Sequence, residues 1–265
     1  MFRPPAPMPT RIRSNSLLGT GHTTASHTIG LGHLRGVLAQ VPADGTFDDY
    51  EAAVVEENIL SRDSMAGRRR VLRHLRELYA LDPGYVPFRV LRKLWDEDTA
   101  AQPLEAGLLA FTRDELLRAS WVALASAGIG TALNAPDLTR AVGTRFAQSL
   151  STETLAKVGR NTASSWTQAG HLSGRIRKIR TRALARPANV TFALALGYLA
   201  DVRGALLFDT PWTELLDAPR PEIEILAGDA ARLGHLDLRA AGGVVDISFP
   251  HLLGDSVRAA GAHLR

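Results

Sequence analysis

Between Glu153 and Asp201 the chain carries no acidic residue. A solvated surface normally mixes signs of charge, and a single sign sustained over more than forty residues restricts what such a stretch can face. The cations concentrate in Arg175, Arg177, Lys178, Arg180, Arg182 and Arg186. Just before them, residues 151–172 read as two helices. Ser151 suits an N-cap, Glu153 suits the first turn, and Leu155 and Val158 give apolar spacing. Gly159 reads as a break or bend, after which Asn161 or Thr162 caps a second helix running through Trp166 to Leu172. On that helix Ala163, Trp166 and Gly170 share one side, with Trp166 expected in the core. Ser164, Gln168, His171 and Arg175 share another. Short polar side chains on an outer face suit hydrogen bonding to base edges or phosphates.

Helix, turn, polar-faced helix and then Arg and Lys is the order expected of a helix-turn-helix reader with phosphate clamps. The expected groove-facing residues are Ser164, Ser165, Thr167, Gln168 and His171, with Arg175, Arg177, Lys178, Arg180 and Arg182 on phosphates. A second basic cluster, Arg68, Arg69 and Arg70, offers another backbone contact. It lies on a helix expected over 61–81, capped by Asp63 or Ser64, with an apolar stripe of Val71, Leu72, Leu75, Leu78 and Tyr79. Snorkelling arginines on a solvated amphipathic helix are the plain alternative for this cluster. About eight phosphate contacts would give a salt slope of roughly −7 in log K against log salt.

The rest of the 265-residue chain reads as mostly helical. Apolar spacing predicts helices over 25–40, 47–60, 86–95, 103–111, 112–126 with Thr112 as cap, and 137–150. Further helices are predicted over 188–205, 211–216 and 221–233. Two alternating runs near the C-terminus, 235–239 and 244–249, flank Gly242 and Gly243 and predict a β-hairpin. A helix followed by a two-stranded ribbon resembles the second half of a winged helix, although Arg239 is the ribbon's only cation against Asp237 and Asp246. The expected organisation is a flexible basic arm over 1–24, a helical domain over 25–150, and a basic helical region with a wing-like end over 151–265.

Composition narrows the chemistry. The absence of cysteine excludes a disulfide scaffold, a cysteine-based zinc site and a thiol nucleophile. The eight histidines fall into no metal-ligand spacing, and no phosphate-binding glycine loop or nucleophile elbow is present. Neither a metal nor a cofactor is expected. The longest apolar runs are about fifteen residues against roughly 20 needed to span a bilayer, and no signal peptide is read at the N-terminus. A cytoplasmic, non-enzymatic binding protein is the expectation.

Four segments together resemble a known family. They are EENILSRDSMAGRRRVLRHLRELYALDP (56–83), FRVLRKLW (88–95), NTASSWTQAGHLSGRIRK (161–178) and GGVVDISFP (242–250). The chain from about residue 25 onward is similar to the BrxA family of accessory proteins from BREX bacteriophage-defence loci. The resemblance implies a mainly α-helical, non-enzymatic, double-stranded DNA-binding protein with a NusB-like helical core. It also implies BREX partners: a site-specific methyltransferase, a phosphatase-like protein and a large ATPase. A protein-interaction scaffold and an RNA-binding protein are the rival readings. RNA binding is disfavoured because Trp166 is the only aromatic in the basic stretch over 151–186.

Overall fold

The computed structural model describes residues 17–254, and their fold is mostly helical with two small antiparallel hairpins. Helix α1 (Leu31–Gln40) follows Gly30, whose left-handed φ of 63° lets the chain turn into it. Helix α2 (Phe47–Glu51) starts at a Thr46–Asp49 capping box and continues into a π-helical turn over Ala52–Glu56. Helix α3 (Met65–Tyr79) is capped by Ser64, which accepts from the Gly67 amide, and buries Leu72, Leu75, Leu78 and Tyr79 as the spacing requires. It stops at Ala80 and Leu81, both at positive φ (68° and 53°). The buried Leu81 side chain helps hold this costly backbone in place.

Helices α4 (Val86–Leu94), α5 (Gln102–Arg113) and α6 (Glu115–Ala125) follow. The cap of α6 is Asp114 rather than Thr112. Asp114 accepts from the Leu117 amide, while Thr112 is buried, donates to the Leu108 carbonyl and accepts from Trp212. Helix α7 (Ala135–Phe146) then packs along α8 (Thr152–Gln168).

Residues 151–168 are not a helix-turn-helix. Helix α8 is continuous through Gly159. A Cβ there would collide with Thr139 and stand 2.6 Å from the Ala135 carbonyl, so the glycine serves close approach of α7 rather than a bend. The chain leaves α8 at Gly170 (φ 93°) and forms a short hairpin, β1 (Leu172–Ser173) with β2 (Ile179–Arg180), where the sequence suggested more helix.

Helix α9 (Pro187–Leu199) is apolar on nearly every side and is buried from Ala188 to Gly197, as a central helix must be. After α10 (Pro211–Glu214) and α11 (Arg220–Arg232) comes the expected C-terminal hairpin, β3 (Asp237–Ala241) with β4 (Val244–Ser248). Gly242 and Gly243 form its two-residue turn at φ 58° and 81°, the backbone that such turns demand. A short helix, α12 (Pro250–Leu253), closes the described chain.

One cluster of buried apolar side chains includes members from Ile29 to Leu253, so the core runs without a break across residue 150. A smaller cluster of Leu116, Val142, Phe146, Leu155 and Val158 lies between α6, α7 and α8. The expected arm over 1–24 changes in part. Residues 1–16 lie outside the described residues, but 17–24 are tied to α5 and α6, with Thr20, Gly21 and His22 exposed. Gly19 and Gly21 donate backbone hydrogen bonds to the Thr112 and Arg113 carbonyls, and Thr24 is held by Asp114 through both its amide and its hydroxyl. Among the described residues no helix is long and apolar enough to cross a membrane.

One buried acid lacks support. Glu105 of α5 is fully buried with neither carboxylate oxygen hydrogen-bonded among the described residues. Burial, and then Asp98 and Asp96, push its pKa up to about 8. The folded state therefore holds a proton that the unfolded chain releases above its ordinary carboxyl pKa near 4.5. Stability attributable to this group falls as pH rises from about 4.5 to about 8 and is lowest above that. Glu105→Gln is expected to match the parent near pH 4.5 and to exceed it by about 2–4 kcal/mol at pH 9. Urea denaturation of both proteins at pH 5, 7 and 9 measures this, and a pH-independent difference would contradict it.

Candidate nucleic-acid interface

The polar face of α8 looks inward. Ser165 is fully buried, donating to the Asn161 carbonyl at 2.8 Å and accepting from the Ile29 amide at 3.1 Å. Gln168 accepts from the Leu31 amide at 2.9 Å. That amide opens α1, whose N-cap Gly30 has no side chain to offer, so Gln168 supplies the missing cap from another helix. Asn161 donates to the Thr24 carbonyl at 2.9 Å, so residues 24–31 lie along the face that the sequence assigned to a groove. Thr167 is half-buried and donates back to the Ala163 carbonyl, and Ser164 is half-buried beside it.

His171 also leaves the surface. It is fully buried, edge-on to Trp121 and Trp166 with ring centroids 5.1 Å away. Its Nε2 donates to the Leu215 carbonyl at 2.8 Å. Burial pushes its pKa down to about 4 despite that bond. A neutral, enclosed imidazole makes no contact in a DNA groove.

Among the expected phosphate clamps, Arg180 is a structural ion. Its side chain is 3% exposed. It pairs bidentately with Asp217 at 2.7 and 2.8 Å, with a further bond to the Leu124 carbonyl at 3.1 Å. Arg68 is likewise committed. It donates to the Val55 carbonyl at 3.0 Å, within the π-helical turn, and to the Arg62 carbonyl at 3.4 Å. Arg182 is exposed but sits 3.4 Å from Glu222. Arg186 pairs with Asp98. Thus the acid-free stretch is partly neutralised by acids from elsewhere in the chain.

Apart from Arg76, which covers the Phe47 ring, and Arg239 on β3, the cations that remain lie on three elements. Arg69, Arg70 and Arg73 lie on α3, Lys157 and Arg160 on α8, and Arg175 and Arg177 at the tip of the β1–β2 hairpin. All are exposed, and none has a hydrogen-bond or ion-pair partner among the described residues. Lys178 is partly buried and donates to the Gly174 carbonyl at 2.8 Å, closing the hairpin tip. Many other arginines are paired, including Arg140, Arg145, Arg203, Arg220 and Arg232.

Arg70 and Arg73 of α3 and Lys157 of α8 act on the segment between those helices. His27 lies there against His74 of α3, with ring centroids 3.2 Å apart. Its pKa is lowered by burial first, then by Lys157, Arg70 and Arg73, with Glu77 opposing. His74 is pushed down to about 4 by burial, then by His27, Arg73, Arg70 and His33. His33 is lowered by burial and by Arg62, which it touches. Cations on two helices therefore act on one spot, and the histidines between them stay neutral at pH 7. The cleft that they line holds about 70 Å³. That is room for a water or two rather than a nucleotide. Among the described residues no group of three or more His, Cys, Asp or Glu is arranged to hold a metal ion.

Sequence reasoning singles out Arg69, Arg70, Arg175 and Arg177 but leaves Lys157, Arg160 and the imidazole pair out of the site. The spacing of Arg70 with Arg73, and of Lys157 with Arg160, at i and i+3 is the available signal. No protein-family model matches the chain, and no curated protein matches its sequence.

Proposed function

We propose that this protein binds double-stranded DNA, largely through phosphate contacts and without catalysing a reaction, as an accessory protein of a bacteriophage-defence system. The observation that carries the reading is the unpaired set of cations on α3, α8 and the β1–β2 tip, in a chain whose other arginines are so often paired. Exposed arginines without acids are the electrostatic footprint of a polyanion partner. The resemblance to the BrxA family supports the defence role. It would place the protein in the cytoplasm beside a methyltransferase, a phosphatase-like protein and an ATPase.

The inward face of α8 alters what kind of DNA binding is proposed. Ser165, Gln168 and His171 are occupied by protein partners, so binding is tolerant of sequence. Fluorescence anisotropy with a labelled duplex of about 30 base pairs tests the reading. Five to seven phosphate contacts give a slope of roughly −4 to −6 in log K against log salt, with affinities nearly equal for unrelated duplexes. Arg70→Glu with Arg73→Glu is expected to weaken binding to all of them by about tenfold or more at low salt, and to flatten the slope by roughly 2. An affinity that ignores these reversals would remove α3 from the interface. Absence of binding at low salt would favour a protein-docking role for the same cations, and preference for single-stranded RNA in competition would favour an RNA partner.

A further inference from the structure

The β1–β2 hairpin ends in the sequence Arg175-Ile176-Arg177, and Ile176 is 94% exposed, the most exposed of the large apolar side chains among the described residues. An isoleucine held in water between two unpaired arginines gains nothing from the protein's own core. The element that presents it is anchored. Leu172 pairs with Arg180 and Ser173 with Ile179. Residues 130–133 add a third strip of backbone on the outer side. The Gly130 amide donates to the Arg180 carbonyl, the Arg180 amide to the Thr131 carbonyl and the Leu133 amide to the Lys178 carbonyl, at 2.8, 2.8 and 3.0 Å. The bidentate Arg180–Asp217 pair pins the hairpin base. At the tip, Gly174 has φ 88°, and a Cβ there would collide with the Arg177 carbonyl, so the turn is tight as well as exposed.

We infer that Ile176 is a wedge that enters the minor groove of duplex DNA and partly unstacks one base step, with Arg175 and Arg177 on the flanking phosphates or groove edges. This rests on the DNA-binding reading and adds a mode of engagement to it. The chemistry of the tip matches the partner. Arginines are drawn to the negative potential of a narrow minor groove, and an apolar side chain between base steps kinks the duplex by about 20–90°. A five-residue tip over 174–178 suits the minor groove, whereas a helix is the usual occupant of the major groove. The C-terminal hairpin lacks this pattern. Its exposed Val244 follows two glycines, and the nearby strand positions carry Asp237 and Asp246 against Arg239.

The test uses the full-length protein and a duplex that carries 2-aminopurine at successive steps, with a donor and an acceptor dye at its ends. The parent protein is expected to raise 2-aminopurine fluorescence about twofold or more at one step and to shorten the end-to-end distance. Ile176→Ala removes an exposed side chain, so folding is not at stake. It is expected to abolish both signals while weakening affinity by less than about tenfold and leaving the salt slope in place. Ile225→Ala, at an exposed isoleucine of α11, is expected to change neither signal. Binding by the parent with a straight, silent duplex would overturn the wedge and leave the phosphate-contact reading standing, as would an Ile176→Ala protein that still distorts the duplex. Absence of duplex binding at low salt would overturn both. Ile176-dependent binding to phosphatidylserine vesicles, with no duplex distortion, would reassign the tip to a lipid surface.

Discussion

Replacing Trp166 with alanine lowers the unfolding free energy by about 3–5 kcal/mol. The indole is fully buried at the meeting point of α5, α6 and α8. It stands 5.1 Å from Trp121 and 6.5 Å from Phe111 by ring centroids, and His171 packs edge-on at 5.1 Å. Its Nε1 donates to the Ser120 hydroxyl at 2.8 Å inside the core. Alanine leaves a cavity lined by aromatic rings that helix backbones hold apart, so collapse is limited and the loss falls toward the upper end. Trp166→Phe keeps most of the apolar area but takes away the donor that the Ser120 hydroxyl accepts from. That hydroxyl still donates to the Leu117 carbonyl. The phenylalanine variant is therefore expected to cost less, about 1 kcal/mol for the lost hydrogen bond. Chemical denaturation of both variants measures the pair. A cost for Trp166→Ala below that of Trp166→Phe would mean that the ring is not the keystone this packing implies.

Trp166 was legible from the sequence because its helical neighbours set it on the apolar side of α8. The stripe of α3 and its Ser64 cap were legible for the same reason: a periodicity of 3.6 and a cap are local properties. Gly242 and Gly243 announced their hairpin equally locally. What failed was each inference that depended on a distant partner. Gly159 reads as a helix breaker until α7 is laid against it, when it becomes the point of closest approach. Ser165 and Gln168 read as surface because short polar side chains usually are. Their partners, Ile29 and Leu31, stand 136 and 137 residues earlier in the chain. The acid-free stretch reads as uncompensated, yet Asp98, Asp217 and Glu222 come to it from either side in sequence. The unpaired cations at Arg70 and Arg177 were visible as arginines. That they are unpaired, while Arg68 and Arg180 are not, is a tertiary fact.

Asp217→Ala is expected to destabilise the protein by about 3–5 kcal/mol, because it leaves the Arg180 guanidinium buried without its counter-charge. Arg180 remains 3% exposed in its side chain and keeps its bonds to the Leu124, His171 and Thr181 carbonyls, which satisfy N–H groups but not the net charge. Asp217 itself sits at positive φ (57°) and also accepts from the Ala183 amide at 3.3 Å, so its carboxylate organises the segment after β2 as well as the ion pair. Alanine adds the cost of a left-handed backbone without a polar side chain, and Asp217→Asn separates the two, since asparagine tolerates that backbone and keeps the hydrogen-bonding shape. Replacing both partners, Arg180→Met with Asp217→Asn, is expected to cost less than the sum of the single changes, by about 1–3 kcal/mol of coupling. Denaturation of the four proteins closes the cycle, and strict additivity would show the pair to be two independent side chains. The same variants separate structure from binding. Arg180 makes no phosphate contact in the proposed interface, so at temperatures where Asp217→Asn is fully folded its salt slope on duplex DNA should equal that of the parent. Arg177→Glu, by contrast, should lower the slope by roughly 1 and leave stability nearly untouched.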